Sequence, residues 1–174
     1  MYGYRAKIGL IVPSINDAIE PEFNAMKPDG VSVYATRVLL TEGTIEGEKR
    51  MLEGTEEAVS LIASAGVNII AYACTTGSLI RGVGWDQELI NTIEGIAGIP
   101  ATTTSTAVMR VFKELRINKV ALVLPYPEEI NQLEKEFFEA QGISVVNMKE
   151  LGLTDMRGVL PETVYELAHE VDTP

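Results

Sequence analysis

"KIGLIVP" at residues 7–13 and "KVALVLP" at 119–125 are one segment written twice: a lysine, five small or apolar residues and a proline, 112 positions apart. "GVSV" at 30–33 returns as "GISV" at 142–145 with the same spacing. A short unbroken apolar run of this kind suits a strand buried on both faces of a parallel sheet. One constant offset across a strand, the following helix and the next strand is more than composition produces, so two related α/β units are expected.

Working outward, "VSVYATRVL" (31–39), "VNIIAYA" (67–73), "PATTT" (100–104) and "ISVVNM" (143–148) read as further strands. Amphipathic stretches near 18–27, 46–65, 85–97, 105–116, 127–141 and 161–171 read as the helices between them. Strand and helix alternate throughout, which predicts the α/β class with parallel sheets. "EEAVSLIAS" at 56–64 finds its counterpart in "ETVYELAHE" at 162–170, so the strand that follows the first copy has its expected counterpart beyond position 174. The expected division is a first half at 1–115, carrying Cys74, and a second half at 116–174 that is incomplete. The second-half equivalent of Cys74 is expected at positions 179 to 186.

The chain has 174 residues and is 46% apolar, enough for a sizeable core. Twenty-five acidic against fourteen basic residues give a net charge of -11, which repels phosphate backbones and anionic lipid and argues against nucleic-acid or membrane partners. One cysteine and one histidine, His169, exclude an internal disulfide and any thiolate-rich or histidine-rich metal site. No secretory or membrane-spanning pattern is read, and a reducing cytoplasm is the expected location.

The chemistry-bearing residues lie at the carboxyl ends of the strands, where open parallel sheets bind ligands. "AYACTTGS" at 71–78 places Cys74 at such an end. A helix starting behind it is expected to lower the thiol pKa and attract a carboxylate, with Thr75, Thr76 and Ser78 adding hydroxyl donors. The alternative is a buried cysteine serving as a small apolar residue. In "VPSIND" at 12–17, Ser14 and Asn16 are candidates to bind a carboxylate, although Asn16 or Asp17 could equally form an Asx turn or helix cap. In "PYPEEIN" at 125–131, Tyr126 offers a phenol, or is simply an amphipathic loop tyrosine. "TTTSTA" at 102–107 is explained by Thr104 or Ser105 capping a helix. "RGVGWD" at 81–86 lacks the third glycine and the preceding strand of a dinucleotide fingerprint. His169 reads as a surface or half-buried residue in mid-helix, so a Cys-His dyad is not expected.

With "IVPSIND", "ACTTGS", "PYPEEIN" and the duplicated pattern together, the chain resembles the aspartate/glutamate racemase superfamily, in its maleate cis-trans isomerase and arylmalonate decarboxylase branch. The resemblance implies two flavodoxin-like halves facing a central cleft, one cysteine from each, and no metal or organic cofactor. It implies a cofactor-independent isomerase or racemase acting on a small carboxylate, with Cys74 as nucleophile or acid/base. Asn16 then matches the carboxylate-binding asparagine, Thr75 and Thr76 the oxyanion-binding turn, and Tyr126 the tyrosine after the fifth strand; Ser14 is a further candidate beside Asn16. Asp155-Met156 stands where such isomerases often carry Asp-Asn. A decarboxylase or a non-catalytic carboxylate-binding relative are the alternatives, and self-association to cover the free edge of "KVALVL" is expected.

Overall fold

The computed structural model describes residues 2–172. The first duplicated segment forms β1 (Ala6–Pro13), flanked in parallel by β2 (Val31–Val38) and β3 (Ile69–Tyr72), and β4 (Ala101–Thr103) completes a sheet of order β2-β1-β3-β4. The winding reverses at β1, so a crevice opens outside the carboxyl ends of β1 and β3. Alternate β1 side chains serve opposite faces. Leu10 and Val12 pack with Ile19 and Phe23 of α1 (Ile19–Met26). Ile11 joins the larger core with Val59 and Ile62 of α3 (Thr55–Ser64) and Leu89, Ile90 and Ile93 of α4 (Trp85–Ala97). Gly9 permits this layering, because a Cβ there would stand 2.7 Å from Ile62 Cγ1.

The second copy forms β5 (Lys119–Leu124), paired in parallel with β6 (Ser144–Glu150). The repeat extends to the register: Lys7 lies opposite Ser32, and Lys119 opposite Ser144. After Val120 the second pair departs from the first by a bulge. Phe137 and Phe138 of α6 (Glu128–Ala140) and Ile143 build the core on this sheet with Val120, Leu122 and Val145. Val108, Met109 and Phe112 of α5 (Thr104–Leu115) and Leu79 enter the same cluster. The two sheets therefore share buried apolar contacts. α7 (Pro161–Val171) lies over β5 and β6.

Local departures from the sequence pattern have physical causes. The helix expected over 46–65 is two helices, α2 (Ile45–Glu53) and α3, broken at Gly54, where a Cβ would come 2.8 Å from Val38 Cγ1. Thr103, one residue before the expected candidates, caps α5 by accepting the Thr106 N–H at 3.1 Å, because the helix starts at Thr104. Behind Cys74 there is no α-helix, only one 3₁₀ turn at Thr76–Ser78. Gly82 and Gly84, with φ of 90° and 91°, separate that turn from α4. "RGVGWD" thus closes a turn: Arg81 stacks 4.3 Å over the Trp85 ring, and Trp85 Nε1 donates to the Gly77 carbonyl at 3.0 Å. His169 is exposed on α7 beside Tyr165, with ring centroids 4.6 Å apart. Among the described residues no helix is long and apolar enough to cross a membrane.

Candidate active site

Cys74 follows β3 directly and is 7% exposed. Its Sγ accepts the Gly77 N–H at 3.3 Å and directs its own proton at Glu48, 3.4 Å from Oε2 and 3.7 Å from Oε1. Glu48 is in the first turn of α2, which Thr44 caps by accepting the Gly47 N–H. Gly77 makes this approach possible, since a Cβ there would lie 2.9 Å from Tyr72 Oη and 3.1 Å from Glu48 Oε2.

The second unit reaches the same place. Thr76 is fully buried and its hydroxyl donates to Glu134 Oε1 of α6 at 3.4 Å. Buried Asn131, one turn earlier on α6, donates to the Tyr126 carbonyl at 2.6 Å and to Glu150 Oε2 at 2.8 Å. It thereby holds the turn that carries Tyr126.

A cleft of about 270 Å³ opens between the two units, with Asn16, Cys74, Thr75 and Tyr126 on its walls. It is smaller than the ~300–1,000 Å³ of pockets for drug-sized ligands, which favours a small molecule. Asn16 forms the turn considered from sequence and also lines the cleft. Its Oδ1 accepts the N–H groups of Ala18 at 3.2 Å and Ile19 at 2.9 Å, an Asx turn that fixes the side chain at the mouth of the cleft. Ser14 and Thr76 do not line it. The Ser14 hydroxyl both donates to and accepts from the backbone of Leu40 at 3.0 Å, tying the end of β1 to the segment just past β2. Thr76 lies beneath the cleft against Glu134.

Three residues that sequence reasoning passed over belong here: Glu48 and Arg157 on the cleft wall, and Glu134 beneath it; Met156, which the resemblance singled out, also lines the wall. Among the described residues Arg157 is the one cationic side chain on the wall, beside Met156 on the segment between β6 and α7. The Gly43 N–H, donating to the Thr154 carbonyl at 2.8 Å, binds that segment to the first unit. A signal for both glutamates was present: Glu48 shares the buried stripe of Met51 and Leu52, and Glu134 that of Ile130, Phe137 and Phe138.

Electrostatics overturn the expectation of an acidic thiol. Burial pushes the Cys74 thiol well above its usual value and the Glu48 charge pushes it further, with the Gly77 N–H opposing them. The expectation assumed a helix N-terminus, and a single 3₁₀ turn supplies no comparable dipole. Burial raises Glu48 to about 7, against the opposing hydrogen bond from Cys74. Glu134 is likewise raised to about 7 by burial, its bond from Thr76 opposing and the Glu48 charge adding. Burial, then the nearby Cys74 charge, raises the Tyr126 phenol. Near neutral pH the site therefore holds a protonated thiol, a neutral phenol and two carboxyls whose ionisation burial has moved up toward neutrality. Such a set can exchange protons close to pH 7.

An open parallel sheet with a thiol at its topological switch point, covered by a second α/β unit, defines a two-unit α/β protein built around a small-ligand cleft. The chain belongs to the arylmalonate decarboxylase family, whose sequence profile matches residues 8–173. It is 26% identical over 162 residues to a maleate isomerase of Alcaligenes faecalis, covering 86% of this chain and 64% of that protein. It is 23% identical over 153 residues to an arylmalonate decarboxylase of Bordetella bronchiseptica, covering 84% and 64%. The chain thus spans 64% of the length of these two relatives. Its structure superimposes with a TM-score of 0.89, at 26% identity, on a Nocardia farcinica maleate cis-trans isomerase mutant bearing a covalently bound succinylcysteine intermediate, covering 96% of this chain and 73% of that one.

Proposed function

We propose that the protein is a cofactor-independent isomerase of a small unsaturated dicarboxylate, of the maleate isomerase kind, with Cys74 as nucleophile. The observation that carries this reading is the placement of a buried cysteine on the wall of a small cleft beside Asn16 and Tyr126. The succinylcysteine carried by the Nocardia relative supports it. In this reading the sulfur adds to one alkene carbon, and the π pair moves onto the other carbon and its carboxylate. The former double bond rotates as a single bond. Expulsion of sulfur then reforms the alkene in the trans geometry. The Asn16 amide and Arg157 hold carboxylates, while Thr75 and the Tyr126 phenol donate to the oxygen on which charge develops. Residues 1–115 and 116–174 act as the two halves of this cleft.

Proton NMR on the full-length protein tests the reading, with maleate and an arylmalonate as separate substrates. Fumarate is expected from maleate. Asn16→Ala, which removes a donor to charge in a largely dry site, is expected to lower that rate about 10²-fold. Carbon dioxide release from the arylmalonate without fumarate formation would replace the isomerase by a decarboxylase, and inertness toward both would leave a binding protein. We place the protein in the reducing cytoplasm, where a working thiol stays reduced, and as a homo-oligomer. Leu160, Val164 and Tyr165 are exposed along and before α7, an apolar strip that self-association would cover. Light scattering is expected to give more than one subunit, and a monomeric mass would remove the oligomer.

A further inference from the structure

A thiol must lose its proton to become a nucleophile, and among the described residues neither a histidine nor a helix N-terminus stands beside Cys74 to take it. The single histidine, His169, is exposed on α7 and takes no part in the cleft. The 3₁₀ turn is too short to act as an anion-stabilising helix end. The Cys74 thiol has one side-chain partner among the described residues, the Glu48 carboxylate.

We propose that Glu48 is the general base for Cys74, taking the S–H proton onto Oε2 across the 3.4 Å contact as sulfur attacks. This rests on Cys74 being the nucleophile of the proposed reaction. The geometry assigns the role through three features. Glu48 is 1% exposed yet lines the cleft, so it touches both the sulfur and the space the substrate would fill. The Thr44 cap fixes the turn that carries it. The missing side chain at Gly77 leaves room for its carboxylate.

The step balances without any other reactant. On addition the S–H bond breaks, its proton moves to Glu48, the S–C bond forms, and the π pair moves to the far carbon and its carboxylate. On elimination the pair returns to the alkene, the S–C bond breaks and the thiolate takes the proton back from Glu48. The titratable and charged groups around Glu48 are Cys74 and Tyr72 from β3 and its end, Tyr126 from the turn after β5, Glu134 from α6, and Asp17 and Arg157 on the cleft wall. Tyr72 and Tyr126 are raised above their usual range and stay protonated near neutral pH, so neither competes for the proton. The elevation of Glu48 to about 7 places its ionisation where a base is most effective.

The role predicts a specific shape for the reaction of Cys74 with iodoacetamide, followed on the Cys74 peptide by mass spectrometry in the full-length protein between pH 5 and 10. With Glu48 as base, the rate rises as Glu48 ionises and levels off above about pH 7, because the tautomer holding thiolate beside a protonated carboxyl then has a constant population. A second rise follows only at the high pKa of the thiol itself. In Glu48→Gln the inflection near 7 is expected to vanish, leaving a single rise, and kcat with maleate is expected to fall about 10²-fold with a smaller change in KM. Glu48→Asp, which still ionises but sits one methylene further back, is expected to keep a carboxyl inflection with a reduced plateau. If Glu48→Gln does not fold, the aspartate variant decides the matter: a wild-type plateau height would overturn the proposal. An unchanged inflection in Glu48→Gln, or the absence of any inflection near 7 in the wild type, would overturn it as well. The alkylation profile needs no substrate, so an inflection that depends on Glu48 in a protein inert toward maleate would sink the isomerase reading and leave the Cys74–Glu48 pair standing. Full maleate turnover in Glu48→Gln would do the reverse.

Discussion

Cys74→Ser is expected to lower maleate turnover by the full-length protein by about 10³-fold or more, while the melting temperature stays within a few degrees of the wild type. The serine oxygen takes the place of Sγ and can keep both local contacts, accepting from Gly77 and donating to Glu48, so the fold loses little. What it loses is nucleophilicity. A thiol ionises far more readily than an alcohol and is intrinsically far more reactive toward an activated alkene. The expected deficit, about 4 kcal/mol of transition-state stabilisation, exceeds that for removing any single hydrogen-bond donor from the cleft. Maleate conversion by NMR and a thermal melt on the same sample check it. Retention of more than a tenth of the wild-type rate would show that the sulfur is not the attacking atom.

The second large effect is on stability as a function of pH. Glu48 and Glu134 are each raised from 4.5 to about 7 in the folded chain. Between those values the folded state binds more protons than the unfolded state, so stability falls as pH increases. The contribution of each group is fully present below about pH 4.5 and is lost as pH rises through about 7. A tenfold difference in proton affinity between the folded and unfolded states is worth about 1.4 kcal/mol, so each carboxyl makes the folded state about 3 kcal/mol less stable at pH 8 than at pH 4. Against a typical total of ~5–15 kcal/mol, that is a large share. Glu134→Gln keeps an acceptor for Thr76 and removes one ionisation. Urea unfolding is expected to show it close to the wild type near pH 4 and more stable by about 3 kcal/mol at pH 8. Wild-type and variant curves that stay parallel across this range would remove Glu134 as a titrating group. The same logic gives Glu48 two opposed effects. The charge that equips it to deprotonate Cys74 is also what weakens the fold above pH 7.

How much of this was legible differs between the framework and the cleft. The duplication of "KIGLIVP" and "KVALVLP" carried through to the register at the start of each strand pair, where Lys7 faces Ser32 and Lys119 faces Ser144, and ends at the bulge after Val120. The positions of Cys74, Asn16 and Tyr126 also followed from the strands that precede them, because the carboxyl end of a parallel strand always opens onto the same edge of the sheet. Ser14 and Thr76 lie at equivalent strand ends, and nothing local distinguishes a hydroxyl that faces the cleft from one turned onto Leu40 or Glu134. The break of the second helix at Gly54 depended on its distance from Val38, which helical periodicity does not encode.

The class, the places of the strands and the edge that holds the site were determined by the sequence alone, because apolar runs and their spacing are properties of neighbouring residues along the chain. The chemistry at that edge was decided only by tertiary structure. Glu48 meets Cys74 from 26 positions away and Glu134 meets Thr76 from 58. A carboxyl on an apolar stripe signals burial, but the group it meets there is fixed only when the opposing wall is in place. The pKa of a group depends on how much water that wall removes and which charge it brings near, and both are set by residues distant in sequence.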